Sequence, residues 1–304
     1  MNTLAPTPAM PSVQPPLARP VASRSYWSLA WKRFRRNRIA FVSLIVLMVL
    51  TVSAVLAPVL APYPPDAISL APDTLLLPLS WEHPLGTDEL GRDTFSRILY
   101  GARVSLGVGF VAAIVSIGIG VMIGATAGML GGWIDATLMR FVDILLSLPL
   151  FFILMIAQTL LPTGILTIMI IIGLITWMDV ARLCRAEFLQ LRLREYTVAA
   201  HVVGASQWRI AWRHLLPNAS GPIIVAGTLR VAEAILIEST LSFIGLGIQP
   251  PNASLGSMLQ KGLTRLLDAP WLVWAPGVAI AITALVFNFI GDGIRDSLDV
   301  RQRR

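Results

Sequence analysis

Long apolar runs dominate the chain, and polar segments divide them into six blocks that could each cross a membrane. A helix needs about 20 residues to span a hydrocarbon core of about 30 Å. The predicted spans are residues 39–60, 104–130, 141–161, 165–180, 223–246 and 271–290. This pattern predicts an all-α polytopic membrane protein with six transmembrane helices.

The N-terminal region divides into two parts. Residues 1–24 contain many prolines and little charge, so we predict a disordered tail. In residues 25–38 an apolar stripe with Trp27, Trp31 and Phe34 runs beside a cluster of cations, Lys32, Arg33, Arg35, Arg36 and Arg38. Such a stripe predicts an amphipathic helix that lies in the membrane interface.

The distribution of positive charge predicts the orientation. We place 18 of the 24 Lys and Arg in cytoplasmic segments, as expected because positive loops stay on the cytoplasmic side. The N- and C-termini are therefore predicted to be cytoplasmic, with a cytoplasmic tail at residues 292–304. Residues 61–103 form the predicted extracytoplasmic connection, in which a short helix after Asp93 lies on the outer face.

Two features within the predicted spans indicate how the helices pack. Gly120, Gly124 and Gly128 repeat every four residues and leave one side of the second span almost bare. Either a static packing face or a contact that slides during gating fits this pattern. After a predicted turn at residues 131–140, Pro149 is expected to kink the third span.

Composition excludes several classes of protein. A chain with 55% hydrophobic and 13% charged residues is not a water-soluble globule of this length. The single cysteine, Cys184, permits no intramolecular disulfide or thiolate metal cage and is expected in the core. His83, His201 and His214 are scattered, and no GxxxxGK phosphate loop occurs, so we predict no enzymatic site and no ATP site. The net charge of +7 follows the topology and indicates no nucleic-acid partner.

The longest polar and basic segment between apolar blocks is residues 181–222. Gly204, surrounded by small residues, can end a helix by adopting a positive φ. Ser206 is the predicted N-cap of a second helix, residues 207–215, which Pro217 is expected to end. Two short helices at a sharp bend therefore form a predicted cytoplasmic knob.

Ala199-Ala200, Gly204 and Leu216-Pro217 carry a resemblance to a known family. Their spacing resembles the Glu-Ala-Ala loop of ABC importer permeases, which forms the coupling helix that inserts into a groove of the ATPase subunit. Val198 stands where that family has its glutamate, and Glu195 lies one helical turn earlier. The resemblance implies that the coupling residues are Glu195, Val198, Ala199, Ala200, Gly204, Ala205, Leu216 and Pro217.

Three further blocks are similar to the C-type permease of the dipeptide, oligopeptide and nickel importer family. They are HPLGTDELGRDTFSRILYGARVSL at 83–106, LSFIGLGIQPP at 241–251 and FNFIGDGIRDSLD at 287–299. The resemblance implies a type I ABC importer permease fold with a core domain at residues 104–291 and a coupling loop between helices 4 and 5. Departures from the family pattern are Leu255, where tryptophan is usual, and Val300, where proline is usual.

The same resemblance implies the partners and the cargo. The partners are a second homologous permease, two ABC ATPase subunits that bind ATP and Mg, an extracytoplasmic substrate-binding protein and membrane lipid, in the cytoplasmic membrane of a prokaryote. Residues 175–206 are most similar to peptide permeases and favour di- or oligopeptides; nickel, glutathione or opines would use the same scaffold. A self-contained secondary transporter is the alternative from another class, and it would more often show an internal repeat.

Three charged residues fall within the predicted fifth span. Arg230 lies roughly 10 Å deep, and an arginine at the centre of a helix costs about 2.5–3.5 kcal/mol to insert. It could pair with Glu233 one turn away, or line the translocation path and meet a peptide carboxylate. Glu238 could meet an amino terminus or bond to a neighbouring helix.

Overall fold

The computed structural model describes residues 26–162 and 164–298. Within these ranges the chain is helical, with no strand and one isolated bridge between Thr87 and Asp93. The predicted tail at 1–24 and the last six residues of the chain lie outside the described residues. The helices are α1 Tyr26–Arg36, α2 Arg38–Val55, α3 Ala57–Leu60, α4 Thr94–Leu130, α5 Gly132–Ser147, α6 Leu150–Leu160, α7 Ile165–Thr176, α8 Met178–Arg192, α9 Glu195–Val202, α10 Gln207–Ile210, α11 Leu216–Phe243, α12 Leu255–Leu263 and α13 Trp271–Leu298.

The described helices support the prediction of six spans. Four uninterrupted helices are long and apolar enough to cross a membrane: α2, α4, the helix running from α10 into α11, and α13. Two bent helix pairs, α5 with α6 and α7 with α8, meet the same criteria together, with bends of 85° and 43°. Counting each bent pair as one span gives six.

The short helix predicted after Asp93 is not separate from the second span, because the two form one helix. Helix α4 has 37 residues and is about 55 Å long. Asp93 caps it by accepting a hydrogen bond from the backbone N of Ser96 at 2.7 Å. Ser96, Arg97 and Leu99 are buried, so protein contacts hold the first turns in line with the span.

The third span also differs from its predicted bounds. Gly131, at φ +65°, turns the chain within one residue, and the predicted turn at 131–140 is helical from Gly132 onward. Pro149 does interrupt the span, but as a break between two helices rather than a kink. Proline disfavours helical geometry in the preceding residue, and Leu148 has an extended ψ of 137°.

Two other helices run past their predicted ends. The fourth span continues beyond residue 180 through α8 to Arg192, and α13 continues beyond residue 290 to Leu298. The first seven residues of the predicted tail at 292–304 are therefore helical. Gly293 permits this extension to pack, because a Cβ there would lie 3.1 Å from the ring of Phe34 on α1.

The glycine face of α4 forms the predicted close helix contact. A Cβ added at Gly120 or Gly128 would lie 2.6 Å from Val180 or Phe188 on α8, and one at Gly124 would meet the carbonyl oxygen of Ala181. Backbones approach this closely only without side chains between them. Cys184 is fully buried in the same seam, as expected for a core residue.

The amphipathic helix α1 packs only part of its apolar stripe against the protein. Phe34 is buried in a cluster with Ala40, Val286 and Ile290, which ties α1 to α2 and α13. Trp31 stays half exposed and stacks on Phe34 at 5.8 Å, while the cations point outward. The side chain of Trp27 lies outside the described residues.

Candidate functional site

The helices α9 and α10 with the turn between them form a protruding element that we call the knob, residues 195–210. At its entrance the hydroxyl of Thr197, fully buried, donates to the carbonyl oxygen of Leu191 at 2.9 Å. At its bend Gly204 has φ +85°, and Ser206 accepts a hydrogen bond from the backbone N of Arg209 at 3.3 Å. The predicted positive φ and the predicted N-cap are both confirmed.

The exit of the knob differs from the prediction that Pro217 ends the second helix. A π-helical turn at Ala211–Leu215 follows α10, and the helix then continues through Pro217 into α11. In that turn the backbone N of Leu216 donates to the carbonyl oxygen of Ala211, five residues back. The wider turn accommodates a ring that would break a regular α-helix.

The predicted coupling residues separate into a tip and a base. Glu195, Val198, Ala199 and Gly204 are exposed at the tip. Ala200, Ala205 and Leu216 pack at the base against a buried cluster of Met129, Cys184, Phe188, Ile210, Ala211, Leu215, Ala219 and Ile223. Pro217 is exposed beyond the base. The small residues thus serve different purposes, since some present the tip and others anchor it.

The tip carries apolar surface that sequence reasoning missed. Val202 and Val203 are more than four-fifths exposed, and so is most of Trp208 on α10, whose ring lies 5.2 Å from that of Trp212 just after the knob. Apolar patches on a protein surface mark interaction sites. The signal available in the sequence was the valine pair directly before Gly204, where the helix was expected to end.

Arg230 forms two ion pairs. Its Nη1 lies 2.8 Å from Glu233 Oε2, as predicted for a local pair, and its Nη2 lies 3.1 Å from Asp179 Oδ2 on α8. The Asp179 partner was missed because it is 51 residues away in sequence. Arg230 is largely covered, whereas the side chains of Asp179 and Glu233 are 57% and 44% exposed.

These three charges border a cavity of about 300 Å³, which we call the Arg230 cavity. Its other walls come from the two places where spans are broken: Leu148, Pro149 and Leu150 between α5 and α6, and Thr176 and Met178 between α7 and α8. Broken helices in membrane proteins are tolerated where the irregular backbone lines a cavity. The cavity therefore brings three charged side chains together with the two places where helices are interrupted.

Glu238 lies elsewhere, sealed inside the helix bundle. It is fully buried and accepts hydrogen bonds from the hydroxyls of Ser105 at 2.9 Å and Ser242 at 2.7 Å. Ser105 is on α4, so the interpretation that Glu238 bonds to a neighbouring helix is confirmed. Its side chain is not open to solvent in this structure, which favours that interpretation, and a role for Glu238 in the pathway stays a prediction. Among the described residues, no group of three metal-ligating side chains comes together.

Comparison with known proteins identifies the family. A family model described as "binding-protein-dependent transport system inner membrane component" matches residues 120–304. A second, described as the N-terminal TM domain of oligopeptide transport permease C, matches residues 25–78. Together these matches include the knob, the Arg230 cavity, α1 and the first span.

Individual relatives agree with the family models. The chain is 42% identical over 283 residues to the dipeptide transport system permease protein DppC of Bacillus subtilis, covering 93% of this chain and 88% of the relative. It is 40% identical over 288 residues to the oligopeptide transport system permease protein OppC of Escherichia coli K12, covering 93% and 94%.

A solved structure supports the fold. Chains from inward facing conformations of the MetNI methionine ABC transporter superpose with a TM-score of 0.55 and 18% identity, covering 66% of this chain and 94% of the other. At that identity the likeness concerns the fold alone. The chain therefore belongs to the family of binding-protein-dependent transport system inner membrane components, the membrane-embedded permease subunits of ABC importers.

Proposed function

We propose that the chain is the C-type permease of an importer for di- or oligopeptides, in which the knob docks on an ATPase subunit. The observation that carries this proposal is the exposed apolar tip of the knob, which has no partner surface within residues 26–162 and 164–298. Apolar groups such as Val203 gain free energy only when another surface removes them from water. A groove on an ATPase subunit would provide that surface.

The helices that flank the knob provide a route from the ATPase to the cargo path. Helix α8 enters the knob and carries Asp179, while the helix leaving the knob carries Arg230. Asp179 lies about 20 Å along α8 from the last residue of that helix, Arg192, and Arg230 lies about 30 Å along its helix from the end of the knob. A displacement of the knob that moves the two helices unequally would change the Arg230–Asp179 ion pair and the shape of the Arg230 cavity. Such a pair can bias a pore between two states.

We place the cargo path at the Arg230 cavity. One arginine and two carboxylates give this site a net negative charge, and the carboxylates of Asp179 and Glu233 are more exposed than the guanidinium. A peptide amino terminus would meet an exposed carboxylate, whereas a peptide carboxylate would have to displace one from Arg230. The names of the relatives favour peptides, while nickel, glutathione or opines remain alternatives on the same scaffold.

The assembly that we propose contains four further chains. A second homologous permease completes the pore as a heterodimer, two ATPase subunits bind ATP and Mg, and an extracytoplasmic binding protein delivers the cargo. This chain itself binds no cofactor and has no ATPase site. We place it in the cytoplasmic membrane of a prokaryote with both termini in the cytoplasm.

Co-purification and transport measurements test the importer class. We expect the chain to be recovered in mild detergent with an ATPase pair and to transport in proteoliposomes only when ATP is inside with the ATPases. Gly204→Arg, at the bend of the knob, should abolish recovery of the ATPase pair. Transport by the lone chain without ATP would instead identify a self-contained secondary transporter.

The cargo path is tested by Arg230→Leu, followed through uptake and membrane abundance together. Lost uptake at normal abundance would support the path, because the chain still folds without the ion pairs. Normal uptake at normal abundance would remove Arg230 from it, and lost abundance would assign Arg230 a structural role. A thermal-shift screen of the partner binding protein against peptides and nickel would identify the cargo class.

A further inference from the structure

A second cavity lies at the other end of α4 from the knob, in a region that we call the cap: the connection at residues 61–93 together with α12. This cap cavity has a volume of about 20 Å³, which is enough for about one water-sized sphere. Its walls come from the end of the connection, the first turn of α4, α12 and the start of α13. The charged residues among them are Asp88, Glu89, Arg92, Arg97, Lys261 and Arg265.

Positive charge exceeds negative charge around the cap cavity, with four cations and two carboxylates. Asp88 Oδ2 lies 2.7 Å from Arg92 Nη2 and 3.7 Å from Arg97 Nε, and Glu89 Oε2 lies 3.7 Å from Arg265 Nε. No ion pair within the described residues involves Lys261. Burial, and then the charges of Arg92 and Arg97, lower the pKa of the Lys261 amine. The excess positive charge is therefore crowded as well as uncompensated.

One buried polar atom on the walls of the cap cavity, Thr94 Oγ1, lacks a hydrogen-bond partner among the described residues, and Arg92 Nη2 makes no well-aligned hydrogen bond there although it lies 2.7 Å from Asp88 Oδ2. Arg92 is 6% exposed, and Thr94 is fully buried. Arg92 Nε donates to Asp88 Oδ2 at 2.7 Å, so Asp88 both orients and pairs the guanidinium, and an N–H of Nη2 is left for a second acceptor. Buried donors without acceptors are rare, and each costs about 1–3 kcal/mol.

We propose that the cap cavity binds one small inorganic anion, chloride, held by Arg92, Thr94 and Lys261. An anion would accept from the unpartnered hydroxyl of Thr94 and from the remaining N–H of Arg92 and offset the excess positive charge, whereas a cation would meet four like charges. A volume of about one water-sized sphere suits a monatomic ion better than sulfate, phosphate or a peptide carboxylate. The carboxylates of Asp88 and Glu89 oppose anion binding, but both are already engaged with arginines.

The bound anion would join three parts of the protein that are far apart in sequence. Arg92 belongs to the connection, Thr94 to the first turn of α4, and Lys261 to α12. Holding them together would fix the cap against the long helix that reaches the knob. The bound anion would stabilise the cap whatever the cargo is and whether or not an ATPase is bound.

Chloride dependence of thermal unfolding tests the site in the full chain, purified in mild detergent. The comparison is between chloride and gluconate at constant ionic strength. We expect chloride to raise the unfolding midpoint of the unmodified chain by about 2–4 °C, as a ligand that binds only the folded state does. Lys261→Gln should lose most of that shift. Lys32→Gln, the same change in the exposed part of α1, should retain it and thus controls for general salt effects.

Anomalous diffraction from bromide tests the site directly, even if Lys261→Gln fails to fold. Crystals grown in bromide should show an anomalous peak between Arg92, Thr94 and Lys261, and Thr94→Val, which removes only the hydroxyl, should weaken it. Absence of the bromide peak would overturn the proposal and leave the cavity to a water molecule. An equal chloride shift in Lys261→Gln and Lys32→Gln would overturn it as well.

Discussion

The cap and the knob lie at opposite ends of α4 and differ in which side chains they bury and which they expose. Thr94, at the start of α4, borders the cap cavity, and Leu130, at its end, borders a groove shared with Trp208 of the knob. In the cap, charged side chains are buried and engaged with one another. In the knob, apolar side chains are exposed with nothing covering them among the described residues.

The backbone shows the same contrast. The cap has no regular sheet, yet its connection is joined by long-range bonds, such as Thr87 N to Leu77 O at 3.0 Å and Thr94 N to Gly86 O at 3.0 Å. The knob is held by its own local bonds, with Gly204 N donating to His201 O at 2.9 Å and Ala205 N to Ala200 O at 3.0 Å. The cap therefore derives its stability from inside the chain, whereas we propose that a surface outside the chain completes the knob.

The strongest test of this comparison removes the central acid of the cap. Asp88→Asn should lower the free energy of unfolding by about 3 kcal/mol, because it leaves the buried charge of Arg92 without its counterion. Asp88 also accepts from the backbone N of Leu90 at 2.9 Å and of Arg92 at 3.0 Å. Denaturant unfolding of the purified chain measures the effect. Asp73→Asn, an exposed acid in the same connection, is the matched control and should change nothing.

A stable Asp88→Asn chain would contradict the view that the cap depends on internal charge pairing. If Asp88→Asn kept its stability but no longer co-purified with the ATPase pair, the contrast would also fail. That result would mean that the cap influences the knob at the far end of α4. We expect neither result.

The glycine seam between α4 and α8 tests the connection between the two regions. Gly124→Ala should destabilise the chain by about 1–3 kcal/mol, because the added methyl group meets the backbone carbonyl of Ala181 and the helices must separate. Gly118→Ala on the same helix meets no atom within 4 Å and should stabilise by about 0.5–1 kcal/mol through helix propensity. A lowered unfolding temperature for Gly124→Ala together with a raised one for Gly118→Ala would support a rigid seam. A change in the same direction for both variants would exclude it.

Local chemistry explains which features could be predicted from the sequence. Gly204 and Ser206 act within one turn of their own positions, and the glycine repeat on α4 has a fixed helical period, so each prediction held. The knob was likewise found as two short helices at a bend, and its role as the coupling element stays a prediction.

Features set by distant parts of the chain could not be predicted in this way. The early start of α4 depends on burial of Arg97 by the cap, and the second partner of Arg230 comes from another span. Pro217 was expected to end a helix because proline usually does, and a π-helical turn overrides that tendency here. The partner of Glu238 could not be predicted for the same reason, since Ser105 on α4 is 133 residues away in sequence.

The next test asks whether the knob depends on an external surface. Val203→Asp should leave thermal unfolding of the isolated chain unchanged, because Val203 is 87% exposed and loses no internal contact. It should weaken binding of the ATPase pair about tenfold or more, since a charge at an apolar interface must be desolvated. Leu267→Asp is the matched control in the segment after α12, where an equally exposed leucine faces away from the proposed interface. Equal ATPase affinities of the two variants would show that exposure alone does not define the docking surface.

The smallest expected effect concerns the acid at the tip of the knob. Glu195 is exposed in the first turn of α9, one turn before Val198, where importer permeases of this kind usually have glutamate. An exposed ion pair contributes about 0.2–1 kcal/mol, so Glu195→Gln should weaken ATPase binding only about two- to fivefold. Adding Val198→Glu to that variant should restore affinity if the acid acts through charge and not through its exact position. Glu82→Gln, an exposed acid in the cap, should have no effect. If Glu195→Gln binds as tightly as the unmodified chain, the knob docks through its apolar tip alone, and Val198 is then part of that contact rather than a lost charge.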